Sequence, residues 1–239
     1  PMLAISNLRA RSLDIERIEL AWEFDGYDDP NDYTIQVVRS ESPEGPFEAM
    51  TAPFEDRYIF VDSRIPRGDK FRQLYYKLIV THKSSAETAQ FGPVTNAAEP
   101  DLIASYIRIH ELTMFTQVNG RLVWLFKART FGARCKCYDA ISGQRKHSRC
   151  LTCFNRTFIR GYHNPIEVWA QIDPAGQATQ DTSGPKAQHA YTTARIPYFP
   201  VVSPNDLIVE AENKRWEITK VTQTERLRAV LRQELTLRQ

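Results

Sequence analysis

The sequence lacks the motifs by which the common enzyme classes are recognised. It has no phosphate-binding glycine loop, no dinucleotide glycine fingerprint, no His-Glu-x-x-His motif and no nucleophile elbow. The His-x-Glu signature of the zinc deaminases is also missing, because His110 and Glu111 are adjacent. We therefore expect a protein that is not an enzyme.

Long apolar runs and a strong charge of one sign are missing as well. No apolar run reaches the length of a transmembrane helix, and no charged-then-apolar signal segment opens the sequence. Lys and Arg number 31 and Asp and Glu number 29, a formal net charge of +2. These absences argue against a membrane protein and a general nucleic-acid binder. They also predict synthesis in a reducing compartment, where disulfides are disfavoured.

The charge that is present is unevenly distributed along the chain. Residues 1–100 hold 11 basic and 17 acidic residues, a net charge of −6. Residues 121–160 hold 10 basic residues and a single acidic one, a net charge of +9. The basic segment contains every cysteine. Four thiolates around one divalent cation leave a centre of charge −2, which nearby Arg and Lys side chains would offset.

Only four cysteines occur, and all of them lie within nineteen residues. One residue separates Cys135 from Cys137, two separate Cys150 from Cys153, and twelve lie between the pairs. Zinc prefers four soft ligands in a tetrahedron, so we favour a structural Zn²⁺ bound by all four. Two disulfides and buried free thiols are open alternatives. Four cysteines fill the zinc shell and leave no position for a catalytic water.

The purpose of such a metal would be stability. Residues 132–162 contain few large apolar side chains and cannot build a core of their own. Metal binding contributes about 10–16 kcal/mol in small zinc domains, which can offset the ordering entropy of the segment. His147 and His163 are possible substitute ligands, although surface histidines or partners of the ligands are the favoured interpretation.

The N-terminal segment, residues 1–98, reads as an all-β domain. Apolar and polar residues alternate in residues 18–24 and 33–37, and residues 58–61 and 75–80 supply further strands. We expect Gly92-Pro93 to mark the end of this segment. Short strands at regular spacing in about 100 residues predict a β-sandwich.

Details of this segment resemble a fibronectin type III domain. Trp22 fits the buried tryptophan of the second strand, and residues 42–47 (Ser-Pro-Glu-Gly-Pro-Phe) fit the mid-domain turn. Residues 76–80 resemble the late tyrosine-bearing strand, where Tyr76 could make the corner hydrogen bond. The resemblance implies adhesion or spacing and no particular ligand, because a fold does not fix a function.

The sequence of residues 99–131 predicts a connector made of a helix and a strand. Leu102, Ile103, Tyr106, Ile109 and Leu112 have the spacing of an amphipathic helix, with Asp101 near its positive N-terminal end. Residues 122–126 follow as a buried strand.

We expect residues 132–164 to form the zinc knuckle and residues 165–239 to return to β-structure. Alternation in residues 166–172, 207–210 and 215–221, and a last strand over 229–237, predict a small C-terminal β-barrel. Between these strands lies a polar loop, residues 174–190, of a length that a compact domain seldom carries without a use.

The residues after the second cysteine pair carry the sharpest resemblance. Cys150-Leu-Thr-Cys153-Phe154, Phe158-Ile159 and residues 161–166 (Gly-Tyr-His-Asn-Pro-Ile) resemble a cysteine-knuckle motif of tailed-bacteriophage virion proteins. Residues 155–157 (Asn-Arg-Thr) stand where that motif has Gly-Thr-Gly, and Arg160 replaces a glycine.

The C-terminal segment carries a second resemblance. Residues 204–208, 214–218 and 221–222 resemble strands of phage head-completion and head-to-tail connector proteins. In that group a small β-barrel forms a ring, and a loop between strands can face the channel. The polar loop 174–190 lies where such a loop would.

Together these resemblances imply a structural component of a tailed-phage virion, in the neck between head and tail. They imply a ring of six or twelve copies, with portal, adaptor and tail proteins as partners and the fibronectin-like domain as a collar. Such a protein would assemble in the host cytoplasm and reside in the virion. A baseplate or tail-end protein and a zinc-ribbon nucleic-acid-binding protein are the alternatives.

The basic cluster of Arg145, Lys146 and Arg149 bears on these alternatives. It could face DNA in a channel or another subunit. Compensation of the thiolate charge, or pairing with an acidic neighbour, is the favoured interpretation.

Overall fold

The computed structural model describes residues 3–14, 16–26, 28–65, 72–96, 101–146, 149–174, 176–179, 189–227 and 229–239. Strands make up 48% of the structure and helix 10%, so the prediction of a mainly β protein is confirmed. The chain folds into two compact units, residues 1–100 with 129–164 and residues 101–128 with 165–239. The division into four domains along the sequence stays a prediction.

Seven strands of the first unit build a sandwich of two antiparallel sheets around one apolar core. The strands are β1 (Ala4–Ser12), β2 (Ile18–Asp25), β3 (Tyr33–Ser40), β4 (Glu48–Ala49), β5 (Ile59–Asp62), β6 (Tyr75–His82) and β7 (Thr88–Thr95). One sheet has the order β1-β2-β5 and the other β4-β3-β6-β7. The predicted sandwich is confirmed, and its assignment to the fibronectin family stays a prediction.

Two aromatic residues of the sandwich lie where the sequence predicts them. Trp22 is buried in β2, and Tyr76 is fully buried in β6. The Tyr76 hydroxyl donates a hydrogen bond to Asp62 Oδ2 at 2.9 Å. Burial, and then the negative charge of Asp62, raise the pKa of Tyr76 well above its usual range.

Gly92-Pro93 does not end the last strand of the sandwich, as expected from the sequence, but lies inside β7. The register of β7 against β6 shifts at this point, between Tyr76 and Leu78. Gly92 has φ +108°, and a Cβ there would lie 2.8 Å from the Tyr76 carbonyl oxygen. The pair therefore makes a bulge that only glycine can occupy.

The second unit contains a helix and a closed β-barrel. Its elements are α1 (Leu102–Met114), a π-helical turn (Phe115–Asn119), β8 (Arg121–Phe126), β9 (Ile166–Ile172), β10 (Gly176–Thr179), β11 (His189–Pro197), β12 (Leu207–Val209), β13 (Arg215–Arg226) and β14 (Ala229–Arg238). Six strands follow the order β11-β14-β13-β12-β8-β9, and β9 pairs back onto β11. This closure confirms the predicted small barrel.

Helix α1 begins where the sequence predicts. The Asp101 carboxylate accepts hydrogen bonds from the backbone N–H groups of Ile103 and Ala104 at 3.0 and 3.3 Å, as an N-cap does. An apolar stripe on such a helix ordinarily faces the core. In α1 four of the five predicted stripe residues are instead exposed, with Tyr106 73% accessible, and the fifth is partly buried. Ser105 and Arg108 are buried in place of the stripe.

Much of the predicted polar loop 174–190 lies outside the described residues. Of this segment, residues 176–179 form β10 and residue 189 begins β11. No helix among the described residues is both long and apolar enough to cross a membrane.

Candidate metal centre

The first cysteine pair is positioned by backbone hydrogen bonds to the rest of the knuckle. The Cys135 N–H donates to the Thr157 carbonyl oxygen at 2.8 Å, and the Lys146 N–H donates to the Cys137 carbonyl oxygen at 2.7 Å. Isolated antiparallel bridges between Arg134 and Phe158, and between Tyr138 and Arg145, flank these contacts. The residues on both sides of the first cysteine pair are therefore held by backbone hydrogen bonds.

The segment after the second pair depends on left-handed backbone. Asn155, Thr157 and Arg160 have φ values of +65°, +71° and +65°. The knuckle motif that the sequence resembles has glycine at these three positions, and here Asn, Thr and Arg adopt the left-handed backbone that glycine favours. Gly161 has φ +61°, and a Cβ there would lie 2.2 Å from the Cys153 carbonyl oxygen. That contact leaves no room for any other residue at this position.

The four sulfur atoms converge on one point, with every ligand atom within 4.8 Å of the others. Cys135 Sγ lies 3.6 Å from Cys150 Sγ, and Cys137 Sγ lies 3.4 Å from Cys153 Sγ. Tetrahedral Zn²⁺ has Zn–S bonds of about 2.3 Å, which place its sulfurs about 3.8 Å apart. The sulfurs are too far apart to be bonded to each other, and all four cysteines are free. The cluster therefore fits a metal ion.

The surroundings of the sulfurs favour negative charge at one of them. Cys135, Cys137 and Cys153 are buried, and Cys150 is partly exposed. Backbone N–H groups of Cys153 and Thr152 donate to Cys150 and lower its pKa to about 6. Hydrogen bonding to the Cys153 sulfur, and then burial, raise the pKa of Cys137 to about 12. Amide donors aimed at a thiolate are what a metal-bound cysteine needs.

The basic residues singled out in the sequence lie on the surface of the knuckle. Arg145, Lys146 and Arg149 are all exposed, and Arg145 Nη1 donates to the Asn155 carbonyl oxygen at 3.1 Å. Within the part of the chain that the structure describes, none of the three forms an ion pair within 4 Å. Their side of the knuckle can therefore meet solvent or a partner, and their role stays a prediction. His147 lies outside the described residues.

A buried charge cluster beside the knuckle is not anticipated by the sequence. Asp56, in the sandwich, is fully buried and accepts from Arg129 Nη2 at 2.6 Å. Its other oxygen lies 2.7 Å from Nδ1 of His163. Arg129 lies just before the knuckle, residues 132–164, and His163 lies near its C-terminal end, so one carboxylate fixes both ends of the segment to the sandwich.

Aromatic packing completes this attachment. The His163 ring stacks on Phe24 and Phe131, with ring centroids 5.8 and 5.6 Å apart, and Tyr58 lies 5.5 Å away. His163 is therefore neither a surface histidine nor one of the clustered ligands. Its place in the Gly-Tyr-His motif is a local signal, but Asp56 has none, because it lies 107 residues earlier.

Comparison with known proteins adds little to this geometry. No family model matches the chain. A stretch of 57 residues is 39% identical to bovine (Bos taurus) coagulation factor XII, and it spans 24% of this chain and 9% of that protein. A chain from the virion of a native gene transfer agent particle is similar at 19% identity, covering 49% of this chain and 91% of that one. Its TM-score of 0.28 carries no argument about fold or function.

Proposed function

We propose that this chain is a structural component of a tailed-phage virion, placed in the neck between head and tail. The observation that carries the proposal is the four-cysteine centre, which occurs in the knuckle motif that resembles phage virion proteins. In chain order it is inserted between β8 and β9 of a closed small barrel, the architecture that the connector resemblance implies. Two separate resemblances thus agree on one class of protein.

The metal in this proposal is Zn²⁺, held by Cys135, Cys137, Cys150 and Cys153. Its contribution is structural, because four protein sulfurs complete the shell and leave no open position for substrate or water. The described part of the knuckle buries three cysteines and Phe158 and little other apolar surface. The sulfurs therefore occupy the place that an apolar core holds elsewhere in the protein, which supports a structural role for this segment.

The proposed partners are other virion proteins: portal, adaptor and tail proteins, together with further copies of this chain in a sixfold or twelvefold ring. Cyclic symmetry is expected because a neck must match the axis of head and tail. The sandwich would serve as a collar, and the exposed Arg145, Lys146 and Arg149 would contact a neighbouring subunit or DNA in the channel. The protein would reside in the virion after assembly in the host cytoplasm.

Two glycine substitutions in the phage gene test the proposal as a matched pair. Gly161 and Gly143 both have positive φ, but a Cβ at Gly143 meets nothing within 4 Å. We expect Gly161→Ala to leave filled heads and free tails unjoined in electron micrographs, and Gly143→Ala to give normal particles.

Other outcomes separate the alternatives. Joined particles with defective tail tips would place the protein in the baseplate instead. Normal particles from a strain that lacks the gene, with steeply salt-dependent DNA binding by the purified chain, would support the nucleic-acid-binding alternative.

A further inference from the structure

The positive charge of the knuckle exceeds what its metal centre needs. Residues 132–162 hold seven basic residues and one acidic residue, a net charge of +6. Zn²⁺ with four thiolates carries −2, so a surplus of +4 remains. The acidic side chain, Asp139, is occupied within its own turn, since it accepts hydrogen bonds from the Ile141 N–H at 3.1 Å and the Ser142 hydroxyl at 3.0 Å. Compensation of the thiolates therefore accounts for only part of the basic residues.

Most of this surplus has no ion pair in the part of the chain that the structure describes. One member, Arg160, lies 3.2 Å from an oxygen of Asp29 in the sandwich. Five further basic side chains of the knuckle are exposed, and no carboxylate of a described residue lies within 4 Å of them. A surface of such cations holds water and counterions until a polyanion replaces them. The five are Arg134, Lys136, Arg145, Lys146 and Arg149.

Arg134 is held in one position by the knuckle. Its Nη1 donates to Thr157 Oγ1 at 2.8 Å. Its guanidinium carbon lies 4.0 Å from the centroid of the Phe158 ring and 4.5 Å from that of the Tyr138 ring. A guanidinium has five N–H donors, so one hydrogen bond leaves most of them available to a ligand. A side chain that is ordered in advance also loses less conformational entropy on binding.

Arg145 lies beside this group and is held in a similar way. Its Nη1 donates to the Asn155 carbonyl oxygen at 3.1 Å. Its backbone pairs with that of Tyr138 in an antiparallel bridge, and directly opposite residues of such a pair project from the same face. Both guanidinium groups therefore belong to side chains that lie next to Tyr138. The surface formed by Arg134, Tyr138 and Arg145 is named here the arginine face.

The chemistry of the arginine face suits an oxyanion. The planar fork of an arginine binds two oxygens of a phosphate or a carboxylate. Stable protein interfaces rely on buried apolar or aromatic anchors, whereas the Tyr138 ring is already partly buried and in contact with Arg134. DNA instead carries a charge at about every 1.7 Å and is bound largely through neutralisation of its phosphates.

An exposed aromatic residue adjoins the arginine face. Phe154 directly precedes Asn155, whose carbonyl oxygen accepts from Arg145, and it is 56% exposed. Exposed aromatic rings beside basic residues stack on unpaired bases in proteins that bind single strands. This combination of residues favours a nucleic acid over an acidic protein as the occupant.

We propose that the arginine face binds the phosphate groups of DNA and does not read the base sequence. The inference deepens the proposed function and rests on it, because of the two contacts suggested for the basic residues, a neighbouring subunit or DNA, it selects DNA. It also assigns the ordered contacts to Arg134 and Arg145. Lys146 and Arg149, whose side chains make no hydrogen bond among the described residues, add only general positive charge.

Fluorescence anisotropy with labelled DNA of random sequence tests this inference. Arg134→Gln and Arg145→Gln each remove one charge and keep a side-chain amide that can donate a hydrogen bond. Arg215→Gln is the matched control, because Arg215 is exposed, donates to Asn213 Oδ1 at 3.3 Å and lies outside the knuckle. Each full-length, metal-loaded chain is titrated into a duplex and a single strand of equal length at several salt concentrations. Metal content and far-UV circular dichroism verify folding, and Arg145→Gln carries the test alone if Arg134→Gln loses its metal.

The inference predicts that the wild-type chain binds DNA with an affinity that falls steeply as the salt concentration rises. Each glutamine substitution in the arginine face should weaken binding about threefold or more and reduce the slope of log K against log salt by about one, because one phosphate contact is lost. Arg215→Gln should keep the affinity and the slope of the wild type. Tighter binding of the single strand that Phe154→Ala removes would add base stacking to the phosphate contacts, and equal binding of both forms would show that the phosphate contacts suffice; either result supports the inference.

Three results would overturn it. Polyglutamate of equal total charge should displace little DNA, and displacement as complete as that by unlabelled DNA would assign the face to an acidic protein. Equal losses of affinity in Arg215→Gln and in the two face variants would attribute binding to general charge. A wild-type chain that does not bind DNA would overturn the inference alone, because the joining of heads and tails in the Gly161→Ala phage tests the virion role separately.

Discussion

The barrel and the knuckle hold their backbones in place by different means. The barrel core is a cluster of thirteen buried residues, among them Trp216, Leu235 and Leu237. The described part of the knuckle has a cluster of three buried cysteines with Cys150 packed against them. Burial of apolar area stabilises by about 25 cal/mol per Å² and is spread over many side chains. Coordination concentrates stability in four atoms, so a single substitution can remove it.

The largest effect is expected from Cys153→Ser, at the fully buried sulfur of the centre. Metal binding contributes about 10–16 kcal/mol in small zinc domains, so its loss should unfold the knuckle. Hydrogen exchange should show rapid exchange in residues 132–162 and unchanged protection in the barrel strands, and elemental analysis should show metal-free protein. Ser142→Ala is the control within the same segment. Loss of barrel protection in Cys153→Ser would contradict the separation of the two regions.

Asp56→Ala should have the next largest effect, because it removes the carboxylate that fixes both ends of the knuckle. Arg129 is only 5% exposed, and Asp29, the other carboxylate near it, lies 3.8 Å away. Removing one partner of a buried ion pair costs about 3–5 kcal/mol. Chemical denaturation should show this loss for the sandwich. Glu48→Ala, on an exposed strand of the same sandwich, should cost less than about 0.5 kcal/mol. Equal losses of stability in Asp56→Ala and Glu48→Ala would refute the role given to the Asp56 carboxylate.

Leu237→Ala should weaken the core of the barrel and leave the knuckle unchanged. The side chain is fully buried, and its truncation should cost about 2–5 kcal/mol through lost burial and a cavity. Metal content and knuckle protection should remain as in the wild type. A protein that loses its metal on this substitution would show that the barrel core and the metal centre are coupled. Leu227→Ala, at a 79% exposed turn residue, is the matched control.

The smallest effect concerns the pH dependence of the sandwich. The folded state raises the pKa of Tyr76 above its ordinary value of 10.0, so folding favours the neutral phenol. The resulting stability is fully present below about pH 10 and is lost as the pH rises above it. Tyr76→Phe should remove this dependence and cost about 1 kcal/mol at neutral pH, from the lost hydrogen bond to Asp62. Thermal melts between pH 8 and 11 measure the pH dependence and the loss of stability, with Tyr106→Phe as control. If stability fell equally with rising pH in the two variants, the Tyr76 hydroxyl would not be the group that causes the pH dependence.

The periodic patterns predicted the elements of the fold well. Alternating residues located β2, β3, β9, β12 and β13, and Asp101 located the start of α1. The cysteine spacing predicted the convergence of four sulfurs, because two close pairs can reach one point through a single turn each. Each of these signals involves residues that are close in sequence, so the geometry of a strand, a helix or a turn was sufficient to predict the structure.

What the sequence did not predict depends on distant contacts. The apolar spacing of α1 gives no indication that Arg108 is buried, where it contacts the Val230 carbonyl oxygen and the Tyr198 ring. Nothing around Asp56 indicates a pairing with Arg129 and His163. Gly92-Pro93 has the composition typical of the end of a strand, and only the approach of the Tyr76 carbonyl oxygen identifies it as a bulge within the strand.

X-ray absorption at the zinc edge of the purified protein tests the central claim most directly. The account predicts one zinc per chain with four sulfur neighbours at about 2.3 Å and no nitrogen or oxygen neighbours. Protein that contains no stoichiometric metal, with its four cysteines oxidised in pairs, would contradict it.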